Sequence, residues 1–520
     1  MIQITQGLHR SAALFPDRIA TVFGSRRRTW REVEDRVGRL AAGLVSLGVA
    51  PGDRVSVLAL NSDRYIEIYL AIAWAGAVVV PGNVRWALPE HVHGIEDSGA
   101  DLLFVDAHFA AMAESIAAAT PLRATIYADD GEVPTGMVDY EQLIASNVPL
   151  PDRCGRDHEL AAIFYTGGTT GRSKGVMLSH HSLIVNYLNT MITMGIGGRH
   201  HIYLHSPPMF HLADAGMVFG VTLTGGTHVV ISHFTPQGLV DAVAAERVTD
   251  MVLVPTMIGM LRDHVVVHGG DLSSIENLSY GASAISETLL RQAIELLPNA
   301  SIRQCYGQTE TSSSAVVLAA EYHTLDPAGA ARLRSAGQAM VGVLLRIADE
   351  NLQDVPRGQV GEVLIRTPGA MLGYWNQPEL TAQTLVDGWL RTGDAGYLDD
   401  DGFLFLVDRV KDMIVSGGEN VYSAEVENAL ASHEAIRECA VIGVPDDRWG
   451  ERVHAILCLY PDRAAQADEI IAHCKRLIAG YKCPRSVEFR ADPLPLSGAG
   501  KVLKTALREP YWQAARRNIA

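Results

Sequence analysis

Most of this sequence alternates stretches of helical period with short β-branched runs, an order that few folds other than layered α/β ones accept. TWREVEDRVGRLAAGLVSLG (29–48) places its apolar residues at helical spacing, and DRVSVLAL (53–60) is a buried strand closed by turns. YIEIYLAIAWAGA and VVVPG (65–82) repeat the step, and ELAAIFYT (159–166), THVVIS (227–232) and DMVLVP (250–255) are further strands. After about residue 355 the texture shifts to short alternating strands such as GEVLIRT and GFLFLVDRV, separated by Gly and Asp turns. From about 412 a compact α+β pattern begins: a helix at AEVENALASH, strands at CAVIGV and HAILCLY, and a helix at ADEIIAHCKRLIAG. The expected class is α/β. A large N-terminal domain (residues 1–408) of layered α/β subdomains plus a β-rich subdomain is expected to precede a small α+β C-terminal domain (409–520).

Composition narrows the partners. At 520 residues the chain exceeds one ordinary domain, and 48% hydrophobic residues supply an ample core. The formal charge of −16, from 43 basic and 59 acidic residues, argues against nucleic acid. A small polyanion needs only a local cationic site. Six scattered cysteines form no C-x-x-C pair, which argues against a disulfide framework or a structural zinc site. The N-terminus lacks the basic start and apolar core of a signal peptide, and YLAIAWAGAVVVPG is too short and glycine-broken to span a bilayer. These features predict no transmembrane segment and a cytoplasmic setting, as either a monomer or a homodimer.

Four clusters carry the chemistry. YTGGTTGRSKG (165–175) gathers glycines, three hydroxyls (Thr169, Thr170, Ser173), Arg172 and Lys174 behind a strand. Glycines let backbone N–H groups approach an anion, and hydroxyls and cations add donors, so the loop is built for phosphate although it lacks the Walker pattern. YGQTE (306–310) offers a ring, a hydroxyl and a carboxylate, enough to stack a base, touch phosphate and hold Mg²⁺. WLRTGD ends at Asp394, a carboxylate in a glycine turn that suits ribose hydroxyls, with Arg409 following in DRVKDMIVSGGEN (408–420). PLPLSGAGKVLK (493–504) presents Lys501 after small residues, a compact charge able to neutralise a carboxylate and an α-phosphate together.

In combination these motifs make the chain resemble the adenylate-forming superfamily, and within it the acid–CoA ligases. The resemblance runs from TWREVEDRVGRLAAGL through GVAPGDRVSVLALNS and NVRWALPE to the final GKVLKTALRE. PMFH (208–211), YGQTE, GYW (373–375), RTGD (391–394) and the Gly-Lys at 500–501 fall in the family's order. The family's phosphate loop reads Y-T-S-G-T-T-G-x-P-K-G, and here a glycine replaces the serine and Ser173 the proline. GASA (281–284) stands for the family's G-x-A-P. The resemblance implies two half-reactions. ATP and a carboxylic acid give acyl-AMP and pyrophosphate, and CoA then displaces AMP.

It also implies roles. Thr166, Gly167, Gly168, Thr169, Thr170, Gly171, Ser173 and Lys174 would clasp the β- and γ-phosphates. Tyr306 and Gly307 would face adenine, with Gly281, Ala282 and Ser283 as the other wall. Thr309 would contact the α-phosphate and Glu310 would hold Mg²⁺. Asp394 and Arg409 would bind ribose, and Lys501 would bridge carboxylate and α-phosphate. A hinge at Lys411 would then swing Lys501 out and bring in Gly417 and Gly418, leaving room for the pantetheine thiol, with His211 gating its entry.

The acyl pocket implied by the family lies between HLADAGMVFG (211–220) and TSSSAVV (311–317). Ala213, Ala215 and Gly216 are expected to leave space for a chain or ring, and Asp214 is out of place on such a wall. No cation awaits a second carboxylate, which disfavours malonate-like acids. A medium- or long-chain fatty acid leads, followed by an aryl or arylpropenoic acid and then by a ligase loading a carrier protein. That last group usually carries an insertion after GYW, and GYWNQPELTAQTLVDGWLRTGD is uninterrupted. HHIYLH (200–205) holds histidines four apart without a flanking glutamate, so a polar helix or loop is expected there instead of zinc.

Overall fold

Two large sheets, with helices trapped between them, frame the N-terminal domain. The computed structural model describes residues 2–155, 157–166, 173–283, 285–324, 331–409, 413–416, 419–446, 449–497 and 502–518. One sheet has nine strands in the order Gln338–Ala339, Val316–Leu318, Ser301–Tyr306, Asn277–Gly281, Asp250–Leu253, Ile202–His205, Thr227–Val230, Ile19–Phe23 and Arg26–Thr29. Its six inner strands, from Ser301–Tyr306 to Ile19–Phe23, run parallel, and antiparallel strands close both edges. The other has eight strands and ends in the antiparallel trio Leu160–Thr166, Lys174–Ser179 and Gly373–Tyr374. From Ile202–His205 the chain first adds Thr227–Val230 on one side and then Asp250–Leu253 on the other. That reversal opens a crevice at the carboxyl ends of the strands, where open α/β sheets bind ligands.

The helix Asp63–Trp74 between the sheets is buried at every position. A helix without a wet face cannot leave charges unpaired. Asp63 accepts from Arg26 at 2.9 Å and from Arg28, while Glu67 takes Arg36 at 2.8 Å and the Tyr140 hydroxyl at 2.7 Å. Arg64 reaches Asp130 at 2.8 Å and Glu141 at 3.0 Å.

The β-rich part is a five-stranded sheet in which Trp389–Leu398 pairs with Gly361–Arg366 and Leu404–Arg409. Asp394 therefore lies within a ten-residue strand, not in the glycine turn expected from RTGD. Gly393 has φ +70° and the register shifts after Ala395, so the strand is locally irregular where the motif falls. The small C-terminal domain is a second five-stranded sheet with helices Ser423–Ala431, Ala467–Leu477 and Lys504–Asn518. The last of these was not foreseen. HHIYLH is also corrected: Ile202–His205 is an interior strand, neither helix nor loop. Among the described residues no helix is long and apolar enough to cross a membrane. Lys411, the expected hinge, lies outside the described residues.

Candidate active site

The strand Leu160–Thr166 and the strand Lys174–Ser179 form a hairpin in which Thr166 pairs with Lys174. The loop they hold therefore leads from strand to strand. A Walker loop leads from strand into helix and draws on the helix N-terminus. Here the described residue runs on both sides of the loop are strands, with no helix N-terminus directly after it. Gly167, Gly168, Thr169, Thr170 and Gly171 lie outside the described residues, whereas Thr166, Ser173 and Lys174 are half-buried at the loop's base. The base is well anchored. The Tyr165 hydroxyl donates to Asp97 Oδ2 at 2.5 Å, Trp375 Nε1 donates to the Asp97 carbonyl at 2.7 Å, and the Trp375 amide donates to the Gly175 carbonyl at 2.8 Å.

Tyr306 ends a parallel strand, and the chain turns at once. Gly307 is required there, because a Cβ would fall 1.9 Å from the Ser313 carbonyl oxygen. Thr309–Thr311 form one tight turn, followed by Ser312 and Ser313 at φ +56° and +102°. Such backbone persists only when its surroundings over-determine it. Asn186 supplies that restraint, donating through Nδ2 to the Thr311 carbonyl at 3.0 Å and the Ser314 carbonyl at 2.6 Å.

Glu310 is buried, its carbonyl accepts from the Met371 amide at 2.8 Å, and its Oε1 accepts from the Tyr374 hydroxyl at 2.8 Å. Burial and the Glu310 carboxylate push the Tyr374 phenol far above its ordinary range, so it remains a donor. Lys174 Nζ sits 4.8 Å from the Tyr374 ring centroid. Tyr374 thus couples Lys174, at the base of the loop, to the Glu310 carboxylate.

The Tyr306 hydroxyl donates to Asp394 Oδ2 at 2.7 Å, joining two motifs 88 residues apart. Arg409 is the backbone partner of Asp394 across the strands. Gly281, with Ala282 at φ +66°, lies beside the Tyr306 strand. A Cβ at Gly281 would fall 2.2 Å from the Cys305 carbonyl oxygen, so the two segments touch through backbone. Thr309 and Ser283 are half-buried next to them. His211 caps the helix Leu212–Thr224, half-buried, with its ring 4.2 Å from that of Phe210. Gly417, Gly418 and Lys501 lie outside the described residues.

Two expectations about the acyl wall change. Asp214 is fully buried and both its oxygens are engaged within the protein, by the Tyr203 hydroxyl at 2.9 Å and His205 Nδ1 at 2.8 Å. The chain continues from His205 Nε2 to His228 Nδ1 at 2.9 Å and from His228 Nε2 to Thr222 Oγ1 at 3.2 Å. Gly216 opens no cavity, because Tyr187 fills the space it leaves. The sequence reading missed Asn186, Tyr374 and Asp97. Only Tyr374 carried a signal, as part of GYW.

The AMP-binding enzyme family matches residues 8–375, and the AMP-binding enzyme C-terminal domain matches residues 425–501. The chain belongs to the AMP-binding enzymes. It is 38% identical over 503 residues to a feruloyl-CoA synthase of Amycolatopsis sp, covering 96% of this chain and 98% of the relative. It is 35% identical over 508 residues to the fatty acid–[acyl-carrier-protein] ligase ScoC of Streptomyces coeruleorubidus, covering 97% and 95%. The structure of the anthranilate CoA ligase AuaEII in complex with anthranoyl-AMP superposes with a TM-score of 0.91 at 25% identity, covering 99% of this chain and 98% of that one. This AMP-binding enzyme is accordingly an AMP-forming acid–thiol ligase that uses ATP, Mg²⁺ and CoA.

The residues present fit that set. Lys174 and the hydroxyls of Thr166, Ser173 and Thr309 suit phosphate. Gln308 Nε2 and Ser312 Oγ are enclosed without a hydrogen-bond partner among the described residues, polar atoms left over beside the Glu310 turn. No group of three or more metal-ligating side chains gathers among the described residues. Glu310 would therefore hold Mg²⁺ together with the nucleotide's own phosphate oxygens.

Proposed function

We propose that this ligase activates an aromatic acid, an aryl or arylpropenoic carboxylate, and releases it as the CoA thioester. The observation that carries this reading is how the Leu212–Thr224 helix is covered. A long acyl chain needs a continuous groove along its small residues. Instead the Tyr187 ring lies across Gly216 and Gly220, so that a Cβ at either would fall within 2.1–2.6 Å of it. Ala215 is fully buried. That surface is closed by a rigid aromatic wall, which favours a short planar acid over a flexible chain. The 38% identity to a feruloyl-CoA synthase points the same way.

In this reading Thr166–Lys174 holds the departing pyrophosphate. Tyr306 and Gly307 flank adenine opposite Gly281–Ser283, and Asp394 and Arg409 take the ribose. Thr309 contacts the α-phosphate. Lys501 neutralises charge as the carboxylate oxygen attacks the α-phosphorus and pyrophosphate leaves. Rotation of residues 409–520 about Lys411 then withdraws Lys501 and admits the thiol past His211, beside Gly417 and Gly418. The thiol sulfur attacks the acyl carbon, its proton is lost, and AMP leaves. A cytoplasmic setting fits six cysteines that form no disulfide.

Pyrophosphate release and thioester formation across benzoate, cinnamate, 4-hydroxycinnamate, octanoate and palmitate, with and without CoA, test the reading. Aryl acyl-CoA as the main product supports it, and a preference for octanoate or palmitate restores the fatty-acid alternative. Acyl-AMP that accumulates unchanged in the presence of CoA selects a carrier-protein ligase, the reading that the likeness to ScoC motivates. Lys501→Ala should slow pyrophosphate release about 10²–10³-fold, as loss of one preorganised charge donor does, and leave thiolation of preformed acyl-AMP much less affected. Near-normal pyrophosphate release by that variant would remove Lys501 from the adenylation step.

A further inference from the structure

Three buried tyrosines pack on or beside the Leu212–Thr224 helix, and two have their hydroxyls satisfied. Tyr69 donates to the Met209 carbonyl at 2.8 Å, and Tyr203 donates to Asp214 at 2.9 Å. Tyr187, on the helix His180–Met194, is only 5% exposed, yet its hydroxyl has no hydrogen-bond partner among the described residues. Both Asp214 oxygens are already engaged by Tyr203 and His205. The Cys305 thiol, the other ionisable group near Tyr187, is itself pushed up to about 12 by burial and stays neutral. A hydroxyl on a nearly buried side chain that finds no partner in the protein is left open to one that a ligand or water brings. Unlike the Tyr65 hydroxyl, this one is not fully enclosed.

Its direction is fixed by two glycines. A Cβ on Gly220 would lie 2.6 Å from Cδ1 of the ring, and one on Gly216 would lie 2.1 Å from the hydroxyl oxygen. The phenol therefore points along the helix toward its N-terminus, where His211 is the cap. Five residues of helix place the hydroxyl about 7.5 Å beyond His211 along the axis.

We infer that the Tyr187 hydroxyl is a specificity determinant, hydrogen-bonding an oxygen substituent on the far edge of the substrate ring. This rests on the aryl-acid reading. A phenol can both donate and accept, so a ring hydroxyl, methoxy or carbonyl oxygen would satisfy it. The unsubstituted acid would leave it as it is now.

The test compares kcat/KM for 4-hydroxycinnamate, cinnamate and octanoate, using the full chain with ATP, Mg²⁺ and CoA, in the natural protein and in Tyr187→Phe. Phenylalanine keeps the ring on Gly216 and Gly220. The natural protein should prefer 4-hydroxycinnamate to cinnamate by about tenfold, the worth of one hydrogen bond in an enclosed site. In Tyr187→Phe that preference should vanish, mainly through a rise in the KM for 4-hydroxycinnamate toward that for cinnamate. No preference in the natural protein overturns the inference, and that measurement needs no variant to fold. An equal fall for both aryl acids in Tyr187→Phe also overturns it, since a merely structural tyrosine would act so. In either case the aryl reading survives. Turnover of octanoate with both aryl acids refused defeats the aryl reading itself, and this inference with it.

Discussion

In the proposed site Glu310 would hold Mg²⁺, and a carboxylate in that role has to be aimed as well as charged. Glu310 has one oxygen fixed by the Tyr374 hydroxyl at 2.8 Å, and the same ring carries Lys174 on its face at 4.8 Å. Tyr374→Phe keeps the packing and the cation–π contact and removes only the hydrogen bond. Groups that orient a metal ligand typically contribute 10–100-fold to affinity. The Mg²⁺ concentration for half-maximal pyrophosphate release should therefore rise about tenfold, with little change in thermal stability. An unaltered Mg²⁺ titration would leave Tyr374 a packing residue. The sequence displayed Glu310 in YGQTE and Tyr374 in GYW but not their contact, because 64 residues separate them and either string reads complete by itself. Asp97 and Asn186 were still less legible. Each acts on backbone or on a side chain that is remote in sequence, and nothing in its own neighbourhood marks it.

At the level of elements, the turn from Tyr306 to Ser314 behaves as one unit whose shape depends on a helix it does not belong to. Asn186, in the middle of His180–Met194, ties down two carbonyls of that turn. In Asn186→Ala both would be buried and unpaired, at about 1–3 kcal/mol each, and the strained backbone at Ser312 and Ser313 would lose its restraint. The variant should melt at a lower temperature. Pyrophosphate release should fall at least tenfold, because Thr309 and Glu310 lose their place, while thiolation of supplied acyl-AMP should fall less. Equal losses in both half-reactions, or none, would sink this view of the turn. Helices with a dry and a wet face, such as Trp30–Ser46, were legible from periodicity. Ile202–His205 was not. Its histidines read as polar surface, whereas His205 is wholly buried and its ring is satisfied by Asp214 and His228. A polar residue paired inside the core looks the same in sequence as one facing water.

For the whole molecule, the alternation of strand and helix announced the α/β layering, but not how the two sheets face each other across buried helices. That arrangement traps histidines in the interior, with a consequence for stability. His91, His180 and His323 are buried, and burial lowers each to about 4. The nearby carboxylates of Glu159, Asp152 and Asp157 only partly offset this for His180. His228 is lowered as well, by burial and by His205. An unfolded histidine titrates near 6.5. Between about 4 and 6.5 the unfolded chain therefore binds protons that the folded chain refuses. The stability these groups supply is fully present above pH 6.5 and drains away as pH falls toward 4, by up to about 1.4 kcal/mol per pH unit for each histidine. At pH 5 that amounts to about 2 kcal/mol each, several together approaching the total stability of a typical domain. The melting temperature should hold steady from pH 8 to 7 and fall steeply between pH 6.5 and 5. His180→Asn, which has no proton to gain, should show a shallower fall over the same interval even if it melts lower at pH 7.5. A natural protein whose melting temperature is flat from pH 7.5 to 5 would mean that the buried histidines are protonated in the folded state. The neutral hydrogen bond between His323 and the Tyr280 hydroxyl at 3.1 Å would then have to be redrawn.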